Sequence, residues 1–111
     1  MKFVEDDVLL RIYINEKEKF EGKILYEEIL LKAKELKLAG ATVLRGIMGY
    51  GARFHIHTAK IVDLSDNLPI VIEIIDREEN INKILPYLDK AVEHGFVTME
   101  KLNVIKYKHK I

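Results

Sequence analysis

The chain has 111 residues, enough for one domain around one core. With 49% hydrophobic and 32% charged residues it is neither disordered nor fibrous, and 18 basic residues against 18 acidic ones leave no bulk charge to draw it onto nucleic acid. It has no cysteine, which removes disulfide and thiolate chemistry and fits a reducing cytoplasm; no apolar run could span a bilayer, and the start MKFVEDDVLL turns acidic too early for a secretory signal.

In chain order, residues 8–14 (VLLRIYI) alternate, with Val8, Leu10, Ile12 and Ile14 on one face, and predict a strand. The polar stretch NEKEKFEGK ends its pairing. Residues 24–38 place Leu25, Ile29, Ala33 and Leu36 on one side at helical spacing, and Gly40 is positioned to end that helix in the left-handed conformation. A second strand is expected over 41–48, and HIHTAKIVDL (55–64) reads as an extended arm. The β-branched run 68–76 predicts a strand. Residues 77–95 predict a helix with Ile81, Ile84, Leu85, Leu88 and Val92 inward, and Pro86 predicts a kink or break near Asn82. A last strand covers 102–107.

The order β-α-β-β-α-β specifies an α+β, ferredoxin-like domain spanning 1–111: a four-stranded antiparallel sheet with both helices on one face. The third strand then lies between the first and the second. Two helices cover one face only. The opposite face carries Leu9, Arg11 and Tyr13 from the first strand and Val71, Glu73 and Ile75 from the third, too apolar for a wetted surface. That predicts burial by self-association, with Arg11 and Glu73 as a cross-strand charge pair and Arg45 as a candidate third member.

Six blocks carry a resemblance: IYINE, EGKILYEEIL, LAGATVLRGIMGYG, IHTAKIVDLSDNLPIVIEIID, ILPYLD and HGFVTMEKLNVIKY. In order and spacing, over nearly the whole chain, they resemble a prokaryotic family of unassigned function, number one hundred and ninety among the domains of unknown function. That family looks like a branch of the PII-like superfamily, alongside the CutA-type proteins. The resemblance implies a ferredoxin-like subunit in a homotrimer with sheets facing inward. It implies a cytoplasmic regulator that binds a small anionic ligand, an adenine nucleotide such as ATP, ADP or AMP, in clefts between subunits. It also implies that the loop after the second strand reaches a protein target such as a membrane transporter.

In this chain that loop is RGIMGYGARFHIHTAKI. Gly46, Gly49 and Gly51 permit positive φ or close backbone approach, so N–H groups there can face an anion; Arg45 and Arg53 supply charge-assisted contacts, and Tyr50 or Phe54 can stack on a base. The alternative is a connection that needs glycine only to turn. His55 and His57, two apart, would share one face of a strand and could share a divalent metal, as the CutA-type relatives suggest, given further ligands; otherwise His57 hydrogen-bonds at the loop base. The candidate ligand residues are therefore Arg45, Gly46, Gly49, Tyr50, Gly51, Arg53 and His57, with His55 and His57 for metal. Catalysis is not expected: Ser65, the sole serine, sits in a turn-like segment, and no Ser–His–Asp arrangement is legible. An RNA-binding sheet is not expected either, since Tyr13 and Tyr107 lie outside the pattern that stacks bases. Absent glutamine beside abundant Lys and Glu points to a thermophilic source.

Overall fold

Alternation of Ile, Leu and Val at period two builds the centre of the molecule. In the computed structural model, which describes residues 1–51 and 67–108, strand β1 (Lys2–Asn15) is followed by the two-residue strands β2 (Lys19–Phe20) and β3 (Lys23–Ile24), which pair with each other. Helix α1 (Leu25–Glu35), β4 (Ala41–Arg45), β5 (Pro69–Asp76), the short helices α2 (Glu78–Ile81) and α3 (Leu85–Ala91), and β6 (Phe96–Tyr107) complete the order. The main sheet runs β4-β5-β1-β6 with antiparallel pairs throughout, the ferredoxin-like arrangement that the pattern predicts.

The covered face is saturated. Leu10 and Ile12 of β1, Ile72 and Ile74 of β5, Leu25 and Ile29 of α1, and Ile81 and Ile84 from the second helical region are all 0% exposed. Both inner faces expected for the helices are found, with Leu36, Leu85 and Val92 partly buried at the margin of the core.

The second helix breaks rather than bends. Pro86 lies in the first turn of α3, where its missing N–H costs nothing, and residues 82–84 separate α2 from α3. Helix α1 stops at Glu35, three residues short of the expected end, and Gly40 is not what stops it. Lys37 takes φ +60°, its N–H donates to the Lys34 carbonyl and the Leu38 N–H donates to the Ala33 carbonyl, the paired bonds of a Schellman ending. Strand β4 ends at Arg45 rather than residue 48, and β6 begins at Phe96 rather than residue 102.

β1 outruns β5. Val8 to Asn15 pair with β5 on one side, whereas among the described residues Lys2 to Asp7 pair only with Leu102 to Tyr107 of β6, so the sheet continues as a two-stranded ribbon. Gly95 sets up the start of β6: at φ +154° it packs so close to β1 that a Cβ there would lie 2.2 Å from the Tyr13 carbonyl oxygen. Asp76 fastens the end of β5. Its Oδ2 accepts from the Ala39 N–H (2.8 Å), and its Oδ1 accepts from the Arg77 N–H (2.7 Å) and from Asn80 Nδ2 (3.0 Å). Burial alone would raise its pKa; the bonds from Asn80, Ala39 and Arg77 prevail and hold it below the ordinary aspartate value.

Candidate functional site

Two surfaces compete as sites: the uncovered sheet face and the base of the loop after β4. On the first, register brings together the residues that the alternation assigns to it. Arg11 stands opposite Glu73, with Nε 2.9 Å from Oε2, and its Nη1 lies 4.0 Å from Glu100. The Glu73 hydrogen bond raises the Arg11 pKa and keeps it charged. Tyr13 stacks on Phe96 at 4.5 Å between ring centres. Leu9 is buried, Val71 half-buried, and Ile75, Leu44 and Phe96 are exposed on the same face, with no helix of the described residues over them.

Arg45 does not join this group. It stands opposite Ile70, a core residue, so its side chain leaves the sheet on the helix side. There its Nη2 meets Glu16 Oε1 at 2.6 Å. Glu16 is the hub of the loop base: its Oε2 accepts from the Leu68 N–H (3.3 Å), and its own N–H donates to the Leu68 carbonyl (2.9 Å). The Lys17 N–H donates to Asn67 Oδ1 at 3.3 Å. The end of β1, the end of β4 and the approach to β5 are thus tied by one carboxylate and one guanidinium.

The first loop residues are shaped by Pro69. The Gly46 N–H donates to the Pro69 carbonyl at 2.8 Å. A Cβ on Gly46 would fall 2.7 Å from the proline ring, and one on Gly49 3.1 Å. Glycine at 46 is therefore required for the close approach, whereas a Cβ at 49 would need the proline ring to give by a few tenths of an ångström. The chain folded over Pro69 leaves Ile47, Met48 and Tyr50 at 91%, 59% and 74% exposure. Gly51 has open space around it. Arg53, Phe54, His55 and His57 lie outside the described residues, as does the arm expected over 55–64.

Beside the loop base is a groove of about 350 Å³, bordered by Lys17, Lys19, Asn67, Glu93 and His94. A second depression shares Lys17 and Lys19 and adds Ile24 and Tyr26. The region thus offers cationic side chains, backbone N–H groups and an aromatic ring beside the loop. Sequence reasoning missed Glu16, Lys17 and Lys19 here; the charges of NEKEK read as a solvated connector because nothing local shows that three chain segments meet there. Among the described residues, no group of three His, Asp or Glu side chains is arranged to hold a metal, and no helix is long and apolar enough to cross a membrane.

The family model for domain of unknown function 190, described as an uncharacterised ACR family, matches residues 7–104. A UPF0166 protein of Aquifex aeolicus is 46% identical over 97 residues, covering 87% of this chain and 91% of its own. A UPF0166 protein of Methanocaldococcus jannaschii is 41% identical over 99 residues, covering 88% and 91%. Among solved structures, one described as a PII-like signalling protein of Thermus thermophilus superimposes with TM-score 0.57 at 22% identity, covering 93% of this chain and 91% of that one. CPII of Thiomonas intermedia, solved with ADP and bicarbonate, superimposes with TM-score 0.57 at 16% identity, covering 92% and 91%.

Proposed function

This chain belongs to that uncharacterised family, and on that premise we propose that it is a cytoplasmic PII-like regulator: a homotrimer whose uncovered sheet faces meet at the centre. It takes an adenine nucleotide in the clefts at the loop bases. It is a binding protein, not an enzyme. The observation that carries the reading is the uncovered face: Leu9, Tyr13, Val71 and Ile75 form an apolar surface around one Arg11–Glu73 pair, a composition that suits a buried interface. The ADP held by the Thiomonas protein, whose fold this chain shares, supports the choice of ligand class.

Arg45, Lys17 and Lys19 supply positive charge at the loop base, residues 47–51 supply backbone donors beyond the Gly46 N–H that Pro69 engages, and Tyr50 a ring for stacking. Arg53, His55 and His57 follow in sequence and complete the proposed ligand loop, the two histidines being also the residues for any divalent metal. Ligand binding signals only if it prefers one loop arrangement over another, so the nucleotide would favour the state in which Ile47, Met48 and Tyr50 are presented to a target such as a membrane transporter. Calorimetric titration with ATP, ADP and AMP, together with thermal melts, tests this. Binding by at least one nucleotide, weakened tenfold or more in Arg45→Ala, is expected, and ligand at about one hundred times Kd should stabilise the fold by about 2.7 kcal/mol. No heat and no shift with any of the three would end the nucleotide reading.

A further inference from the structure

The ribbon formed by the ends of β1 and β6 carries two carboxyl groups that the proposed function does not use. Glu5 and Asp7 are two apart on β1 and project from one face of the strand. Asp7 is 4% exposed, and its Oδ1 is buried with no hydrogen-bond partner. An ionised carboxylate in that state is costly. Glu5 is differently placed: Lys106 Nζ lies 2.9 Å from its Oε2 and Arg77 Nη2 lies 3.6 Å from its Oε1. With a cation on each oxygen, Glu5 holds its charge, and Asp7 is its neighbour two residues along on the same face of the strand.

We infer that Asp7 and Glu5 form a carboxylic acid–carboxylate pair, the proton residing on Asp7 and donated to Glu5, and that this pair latches the β1–β6 ribbon onto the β5–α2 junction in a pH-dependent manner. Each partner comes from a different piece of chain: Glu5 and Asp7 from β1, Lys106 from β6, and Arg77 from the residue between β5 and α2. Asp76 at the end of β5, opposite Val8 in the register, adds a further negative charge near Asp7, and Lys101 and Glu78 border the groove of about 360 Å³ beside Asp6 and Asp7. Burial, then the Glu5 hydrogen bond and charge, push the Asp7 pKa up against the opposing pull of Lys106, whereas Lys106 and Asp7 draw Glu5 down. Loss of the proton leaves two carboxylates face to face beside Asp76. An ionised Asp7 must regain water, and the ribbon, which among the described residues has no strand on its β5 side, opens to admit it.

Carbon-13 NMR titration of the Asp7 side-chain carboxyl in the assembled protein tests the pair, with amide hydrogen exchange of residues 2–7 as the readout of the latch. In the wild type Asp7 should titrate above the ordinary aspartate range. In Glu5→Gln its midpoint should fall, since a negative neighbour is gone and two cations are released toward it. Ribbon protection should drop as Asp7 ionises, while residues 8–14 stay protected; Asp7→Asn should keep the ribbon protected over the same range. An Asp7 midpoint in the ordinary range, or one unmoved by Glu5→Gln, would overturn the shared proton. A ribbon whose protection follows the rest of the sheet across the titration would overturn the latch.

Discussion

The two faces of the sheet are built from the same strands and differ in every other respect. The helix-covered face is filled by Ile and Leu side chains at 0% exposure; the other mixes apolar residues with a charge pair and leaves Leu44, Ile75 and Phe96 at 46%, 38% and 59% exposed. One face is finished within the subunit, and the other is half-finished. A protein that stayed monomeric would be expected to place polar residues at alternate positions of its uncovered face. The difference between the faces is the one that the proposed self-association accounts for.

Substitutions separate the faces by the size and kind of their effect. Ile72→Ala, between Ile12 and Val43 in the register, should remove about 2–5 kcal/mol from the unfolding free energy in denaturant melts, through lost transfer energy and the cavity left behind. Ile75→Glu, on the uncovered face, should leave the circular dichroism of the subunit intact and instead shift sedimentation toward monomer. If Ile75→Glu unfolded the chain as Ile72→Ala does, the distinction between the faces would be lost.

Asp76 belongs to the finished side. Asp76→Asn loses charge-assisted bonds to Ala39 and Arg77 and should cost on the order of 1–3 kcal/mol at neutral pH. The folded-state pKa of Asp76 is lowered, so its contribution is present above the unfolded value and is lost as pH falls through the folded one; the gap between wild type and variant in urea melts should close on acidification. Asp7 has the opposite sign. Its raised pKa makes its contribution complete at low pH and lost as pH rises through the folded value, so Asp7→Asn should gain on the wild type as the solution becomes more alkaline.

The Arg11–Glu73 pair sharpens the comparison further. In a solvated pair a double-mutant cycle with Arg11→Met and Glu73→Gln should give little coupling, whereas a pair enclosed by neighbouring subunits should couple more strongly, and less so when dilution dissociates the assembly. A small effect of opposite sign is expected at Lys37, whose φ of +60° is unfavourable for a residue with a Cβ: Lys37→Gly should stabilise the helix ending by about 0.5–1 kcal/mol.

The sheet order, the inward residues of each helix and the Arg11–Glu73 pairing were legible because period-two and helical spacing report directly on burial. Of the ribbon only Leu102 to Tyr107 was legible: KFVEDD on β1 sets carboxylates where an apolar alternation would show, and FVTMEK, the part of β6 beside Val8 to Tyr13, is exposed throughout. The β2–β3 hairpin was equally silent, since two pairs of residues make no periodic signal. At the candidate site, the glycines of the loop were recognisable as backbone requirements, and Pro69 explains two of them. The placement of Arg45 was not foreseen, because its face depends on the parity of a strand end that the sequence overran by three residues. Glu16 was missed because its importance arises only when β1, β4 and β5 converge.

The most direct test is the mass of the protein in solution. Sedimentation equilibrium of the wild type at micromolar concentration should return three times the 12.9 kDa subunit. A stable, folded species of single-subunit mass under those conditions would contradict the account, for the unfinished face would then have no partner of its own kind.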